Sequence, residues 1–187
     1  MRATTEVEIN ELFANRRSPR SFDSEFELSR DDSFALLEAA RWAPSSNNIQ
    51  PWRFIFGLRG SSTYDEILLA LVPFNQSWAF RASALIAVGG EPETDEGKPN
   101  ATYLFDCGLS VAQLTLEAHH RGLAAHQMAG FDAEKATKLF SGQRPIVIVA
   151  IGKQAPAERL EGAAFEREQA PRSRKELSEI VLSGLPL

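Results

Sequence analysis

Three arginines fall within five residues in the run Arg16-Arg17-Ser18-Pro19-Arg20-Ser21-Phe22. Each guanidinium presents a planar fork of donors that matches phosphate oxygens, so the run can hold a phosphate dianion. A second stretch, Trp42-Ala43-Pro44-Ser45-Ser46-Asn47-Asn48-Ile49-Gln50-Pro51-Trp52, gathers hydroxyl, amide and aromatic groups. Ser45, Ser46, Asn48 and Gln50 supply more polar groups than one turn consumes, which suits a heterocycle with several carbonyls and ring nitrogens. A further pair of arginines, Arg172 and Arg174, follows Pro171. Each feature has a plain alternative. An arginine ending a helix meets the macrodipole without a ligand, a charge run in a tail is ordinarily a solvated face, and Pro, Ser and Asn build turns for local hydrogen bonds. Two arginine groups in a chain of net charge -5 nevertheless favour convergence on one anion.

Other chemistries find little support. The chain has no Gly-x-x-x-x-Gly-Lys-Ser/Thr loop and no Gly-x-Gly-x-x-Gly, so neither a P-loop nor a Rossmann dinucleotide site is indicated. His119, His120 and His126 lack metal-ligand spacing, and the single Cys107 excludes an intramolecular disulfide framework. Cys107 reads as a small core residue on an apolar helix, and Ser45 and Ser46 lack a nucleophile-elbow context. The acidic balance argues against nucleic-acid binding. No run is long and apolar enough to span a bilayer, and MRATTEVEIN lacks the apolar core of a signal peptide, so a cytoplasmic protein is expected. With no base, nucleophile or metal evident, a bound cofactor is the simplest source of chemistry. Isoalloxazine, whose pyrimidine edge both donates and accepts, would use the amides of the second stretch.

At 187 residues with 43% hydrophobic content, one domain is expected over 1–187. The spacing of Ile9, Leu12 and Phe13 predicts a short helix that ends at the arginine cluster. Ser29 starts a second helix that runs toward Pro44. Arg53 to Phe56 reads as a strand, Tyr64 to Leu71 as a helix, and Ala84 to Val88 as a strand buried on both faces. Residues 91–99 read as an exposed loop, disordered or lid-like. Asn100 is expected to cap a long helix to His120, with Leu104, Phe105, Leu109, Ala112 and Leu116 on its apolar side and Gly108 packed close to another helix. A short segment Leu123 to Met128 follows; Asp132 caps a helix to Phe140, and Ile146 to Ile151 is a strand. From Lys153 the tail is loosely patterned until Glu176 to Leu182. Four or so strands and five or six helices, with no required parallel crossovers, give an α+β or three-layer sandwich.

The chain resembles the FMN-dependent nitroreductase family over nearly its whole length. The resemblance is carried by Arg16 to Phe22, Ala39 to Trp52, Asn75-Gln76, Ala84 to Val88, Gly130-Phe131-Asp132 and Arg172-Ser173-Arg174, in that order. It implies a nitroreductase-like three-layer sandwich, with a central, mostly antiparallel sheet flanked by helices. It also implies a homodimer with FMN at the interface, the segment 153–187 extending to the partner subunit. By this resemblance Arg16, Arg17 and Ser18 hold the phosphate and ribityl chain, with Arg172 and Arg174 closing on the phosphate. Arg20 stands near the pyrimidine edge. Pro44, Ser45, Ser46 and Asn48, with Gln50 beside them, reach the cofactor from the partner subunit; Asn75 contacts the ring, and the backbone of Met128, Ala129 and Gly130 lies beside N5. The chain departs from the family at Gln127, often Pro, at Ala129, often Gly or Glu, and at Trp78, where many members carry a basic residue.

The implied activity is ping-pong hydride transfer from NADH or NADPH through FMN to a small electron-poor acceptor such as a nitroaromatic, quinone or enone. The alternatives on the same scaffold are a flavin-binding sensor or carrier without turnover, or a specialised flavoenzyme of dehalogenase or azoline oxidase type.

Overall fold

The computed structural model describes residues 2–184. Its sheet has four strands, β1 (Trp52–Leu58), β2 (Ala84–Gly90), β3 (Ala124–Met128) and β4 (Arg144–Gly152), in the order β1-β2-β4-β3 with every pairing antiparallel. The expected sandwich with an antiparallel sheet is therefore present. Among the described residues eight α-helices surround it: α1 (Glu11–Asn15), α2 (Arg30–Arg41), α3 (Ser62–Ala70), α4 (Pro73–Ala79), α5 (Tyr103–His120), α6 (Ala133–Lys138), α7 (Gly162–Gln169) and α8 (Leu177–Ile180).

The two central strands have no solvated face, and their alternation divides the core. Ala84, Ile86 and Val88 of β2 with Val149 and Ile151 of β4 pack beneath α2 and α5 against Leu36, Leu114 and Ala118. The intervening Leu85, Ala87, Ile148 and Ala150 face the opposite layer, where Ile67, Trp78, Ala136 and Ala164 come from α3, α4, α6 and α7. This period-2 division is what a strand buried on both faces does. Several boundaries follow from local chemistry. Ser29 Oγ accepts the Asp32 N–H at 3.0 Å, Ser61 Oγ that of Tyr64 at 3.2 Å, and Asp132 Oδ1 those of Glu134 and Lys135 at 3.0 and 3.1 Å.

Four expectations need correction. Helix α4 was not anticipated, because Pro73 after Leu71 and Val72 reads as a stop, whereas it occupies the first helical turn, where a missing N–H costs nothing. Helix α7 was also hidden, since its buried face is Ala164 and Glu168 and shows no apolar period. Helix α5 starts at Tyr103 behind Thr102, while Asn100 Oδ1 accepts the Thr102 N–H at 3.3 Å in a turn before the helix. Most consequentially, α5 turns Tyr103, Cys107, Val111, Leu114 and Ala118 to the core. Leu104, Phe105, Gly108 and Ala112 face outward, and nothing lies within 4 Å of where a Gly108 Cβ would stand. The helix is thus apolar on both sides, and the expected apolar stripe is the exposed one.

Residues 91–99 form a turn closed on itself, with Thr94 N–H to Lys98 O and Gly97 N–H to Thr94 O both at 2.8 Å and a bridge between Glu93 and Pro99. No helix of the described residues is long and apolar enough to cross a membrane.

Candidate functional site

Helix α1 ends at Arg16 and delivers the arginine run beside β3, an edge strand, and the C-terminal half of α5. The tail returns to the same place. Arg172 donates from Nη1 to Ala14 O at 3.0 Å and from Nη2 to Arg16 O at 2.8 Å, tying the tail to the end of α1. Arg16, Arg172, Ser173 and Arg174 line one concavity with Thr4, Thr5 and Phe13. Arg16 and Ser18 also line a shallow groove with Gly108, Ala112, Thr115 and Gln127, of about 440 Å³. Burial, then the charge of Arg174, holds Arg16 below the usual guanidinium range; burial, then Arg16, Arg174 and Arg17, does the same to Arg172. Arg16 makes no ion pair among the described residues.

The groove floor is a hydrogen-bonded chain. Arg16 Nη1 donates to Ser18 Oγ at 3.3 Å, and Ser18 Oγ to Gln127 Oε1 at 3.3 Å. Gln127 Nε2 donates to Thr115 Oγ1, which in turn donates to Val111 O at 2.7 Å. Arg17 behaves differently: its Nη2 lies 2.9 Å from Glu168 Oε1 and donates to Glu168 O at 3.0 Å. Glu168 Oε2 accepts the Arg20 N–H at 2.7 Å, while the Nε of Arg20 is buried with no partner among the described residues. His119 lines a smaller cavity with Asn15, Arg16, Arg17 and Gln154, its pKa lowered by burial and then by Arg16.

Strand β3 leads from the arginines to a second polar point. Asn75 Nδ2, on α4, donates to Gly130 O at 3.0 Å, and the Val72 N–H reaches the same oxygen at 3.1 Å. A Cβ on Gly130 would stand 2.8 Å from Asn75 Nδ2, so glycine permits this approach. Met128 is buried, Ala129 is exposed, and no acceptor among the described residues meets the N–H of Ala129 or Gly130. Trp78 lies one helical turn from Asn75 but points into the core, fully buried, its ring 4.6 Å from that of His126. Six residues of extended chain separate Ala124 from Gly130, about 20 Å.

The loop Pro44 to Gln50 stands elsewhere, at the N-terminal end of α5. The Ser46 N–H reaches Asp106 Oδ2 at 3.3 Å, and Ser45 Oγ accepts the Gln50 N–H at 3.0 Å. Asn47, Asn48 and Gln50 have φ of 49, 57 and 53°, in the left-handed region; Asn47 and Asn48 are exposed, and Gln50 Nε2 donates to Asn48 O at 3.0 Å. Asp106 and Thr115 are nine residues apart on one helix, about 14 Å along its axis. Within one chain, then, the arginines, Ser18, Asn75 and the 128–130 segment border one continuous strand, while Pro44, Ser45, Ser46, Asn48 and Gln50 do not join them. Sequence reasoning missed Thr115, His126 and Glu168. Their only signal is that a polar residue interrupts a buried face.

Among the described residues no cluster of His, Cys, Asp and Glu could hold a metal. Cys107 is buried, and burial, then Asp106, pushes its thiol up to about 12, which keeps it inert.

The Nitroreductase family model matches residues 13–71 and 57–153. A solved structure described as an oxidoreductase containing FMN superposes with a TM-score of 0.90 at 33% identity, covering 98% of this chain and 95% of that one. A Bacillus subtilis (strain 168) protein provisionally named NAD(P)H nitroreductase YdgI is 29% identical over 78% of this chain and 88% of its own length. A Lactiplantibacillus plantarum protein named CLA biosynthesis enone reductase is 26% identical over 79% and 86%.

Proposed function

The chain belongs to the nitroreductase family, and we propose on that premise that it is an FMN-dependent oxidoreductase passing a hydride from NADH or NADPH to a small electron-poor acceptor. The observation that carries this reading is the cationic corner of Arg16, Arg172 and Arg174 beside a groove that shares Arg16 and reaches Gln127 on β3, three residues before Gly130. The residues fit a phosphorylated heterocycle. Arg16 is crowded by cations and lacks an ion pair among the described residues, a penalty that a phosphate dianion removes.

In this assignment Arg16, Arg172 and Arg174 hold the phosphate, and Ser18 the ribityl chain. Arg17, engaged with Glu168, stiffens that segment from behind. Arg20 stands at the pyrimidine edge, where a fixed cation stabilises negative charge. Asn75 fixes the Gly130 carbonyl and thereby the orientation of the 128–130 backbone, and the N–H groups of Ala129 and Gly130 are left for the ring. When bound, FMN supplies the hydride chemistry, accepting from the nicotinamide and donating to a nitro, quinone or enone acceptor.

Completion of the site calls for a second copy of the chain. The outward face of α5 carries Leu104, Phe105, Gly108 and Ala112, and Phe105 is 69% exposed. If two α5 helices cross antiparallel about a two-fold axis near Ser110, Gly108 and Ala112 flank the axis and allow close approach. Asp106 of one copy then lies opposite Leu114 and Thr115 of the other. That places Ser45, Ser46, Asn48 and Gln50 of each copy over the other's groove, closing a homodimer with two FMN sites. The tail from Lys153, described as far as residue 184, belongs to the same single domain over 1–187; residues 185–187 of the proposed extension to the partner lie outside the described residues. The lone reduced Cys107 suits the cytoplasm.

The test is reconstitution with FMN, followed by anaerobic addition of NADH or NADPH. Bleaching of the flavin and its recovery on adding menadione or a nitroaromatic are expected. A folded protein that takes up no FMN, or bound FMN that neither nicotinamide bleaches, contradicts the proposal.

A further inference from the structure

Both polar ends of one peptide unit, Pro19–Arg20, are held by buried side chains from distant parts of the chain. His126 Nδ1 lies 3.0 Å from Pro19 O, and Glu168 Oε2 accepts the Arg20 N–H at 2.7 Å. A carbonyl oxygen only accepts, so His126 carries its proton on Nδ1. Its ring is backed by Trp78, with centroids 4.6 Å apart. Glu168 is 5% exposed, and its other oxygen faces Arg17 at 2.9 Å. Two titratable groups are therefore kept in the interior to hold one backbone amide, at a desolvation cost that apolar packing would not incur. Beyond that amide stands a guanidinium whose buried Nε has no partner among the described residues.

We propose that His126 and Glu168 are positioning residues that clamp the Pro19–Arg20 peptide and so aim the Arg20 guanidinium into the groove as a fixed cation that tunes the bound flavin. This rests on the FMN reading. The Trp78 indole is buried in the core and supplies no charge at the ring, which leaves that role to Arg20. Burial, assisted by the Arg20 charge, pushes His126 down to about 4, which keeps it neutral and its Nδ1–H donor in place at physiological pH. A salt-bridged core cluster with no outward role would leave the flavin's potential untouched.

The experiment is the midpoint potential of bound FMN in the wild type and in His126→Phe, His126→Asn and Glu168→Gln, each with and without Arg20→Ala. His126→Phe keeps a ring against Trp78 but loses the donor. It should weaken retention of reduced relative to oxidised flavin about tenfold, a fall of about 30 mV for a two-electron couple. His126→Asn, which keeps an N–H, should restore most of that shift. In the Arg20→Ala background His126→Phe should add nothing, because the effect runs through the guanidinium. An unchanged potential in His126→Phe, or a full shift persisting without Arg20, overturns the clamp while leaving FMN binding intact. If His126→Phe does not fold, Glu168→Gln provides the same comparison. A folded wild type that takes up no FMN overturns the flavin reading and the tuning role together.

Discussion

The two ends of α5 carry opposite kinds of incompleteness. Around Thr115 the chain folds its own N-terminal arginines and its own tail into a crowded cationic corner with no counter-ion for Arg16 among the described residues. Around Asp106 it builds a loop with three left-handed residues, tied internally through Ser45 and externally through Ser46, with Asn47 and Asn48 exposed to solvent. In the proposed assignment one end would be a site without a lid, and the other a lid without a site. The apolar strip of Leu104, Phe105, Gly108 and Ala112 lies between them. In the proposed homodimer a two-fold axis through that strip would bring each end to the other's counterpart, which would give the separation within one chain and the exposure of the strip a single explanation.

The comparison breaks most visibly at the arginine end. Replacing Arg16 and Arg172 together by Ala removes two charge-assisted contacts worth about 1.5 to 3 kcal/mol each, so FMN affinity should fall about 10²- to 10⁴-fold in an equilibrium fluorescence titration. Unaltered affinity would remove the phosphate from this corner.

Acidification should discriminate between the ends next. His126 is neutral in the fold, its pKa lowered by burial from 6.5 to about 4, so the unfolded chain binds more protons between those values. Stability from this group is complete above about pH 6.5 and is lost as pH falls toward 4, by up to about 3 kcal/mol. Urea denaturation across that range should show a shallower pH dependence for His126→Phe than for the wild type. Parallel curves would mean that burial does not hold His126 neutral.

The strip is tested by Phe105→Asp. At 69% exposure the residue contributes little to the single chain, so thermal stability of an isolated subunit should change by less than about 0.5 kcal/mol. Dimer dissociation in sedimentation should rise by the equivalent of about 2 kcal/mol, with FMN lost alongside. The smallest effect is expected from Asn48→Gly. Glycine adopts φ near 57° without strain, so folding stability should move by less than about 1 kcal/mol, while FMN retention weakens through loss of the amide. Equal losses of folding and FMN would make the loop merely structural.

Much of the architecture was legible from periodicity and caps. Ser29 and Asp132 marked helix starts, the apolar run at β2 read directly as a doubly buried strand, and that at β4 as a strand. What escaped was whatever depends on context. Pro73 ends one reading frame and begins another, and a helix whose buried anchor is Glu168 has no hydrophobic period to read. The arginines were visible as a type and a spacing, and the structure gathers Arg16, Arg172 and Arg174 in one corner. Their differing engagements were not visible, since Arg17 meets Glu168 while Arg16 meets no carboxylate among the described residues. Nor could periodicity assign a side to α5, because both of its faces are apolar; burial alone separates Leu114 from Phe105.

The central claim is that the arginine corner of one subunit and the Ser45 to Gln50 loop of the other form one FMN site. It is tested most directly by mixing two variants, each unable to retain FMN by itself: Arg16→Ala with Arg172→Ala in one chain, and Ser45→Ala with Asn48→Ala in the other. Co-refolded at equal concentration, they should regain tight FMN in about one site in four, because half of the dimers are mixed and each mixed dimer has one fully wild-type site. No recovery on mixing, with both variants folded and dimers exchanged, would contradict assembly across the interface.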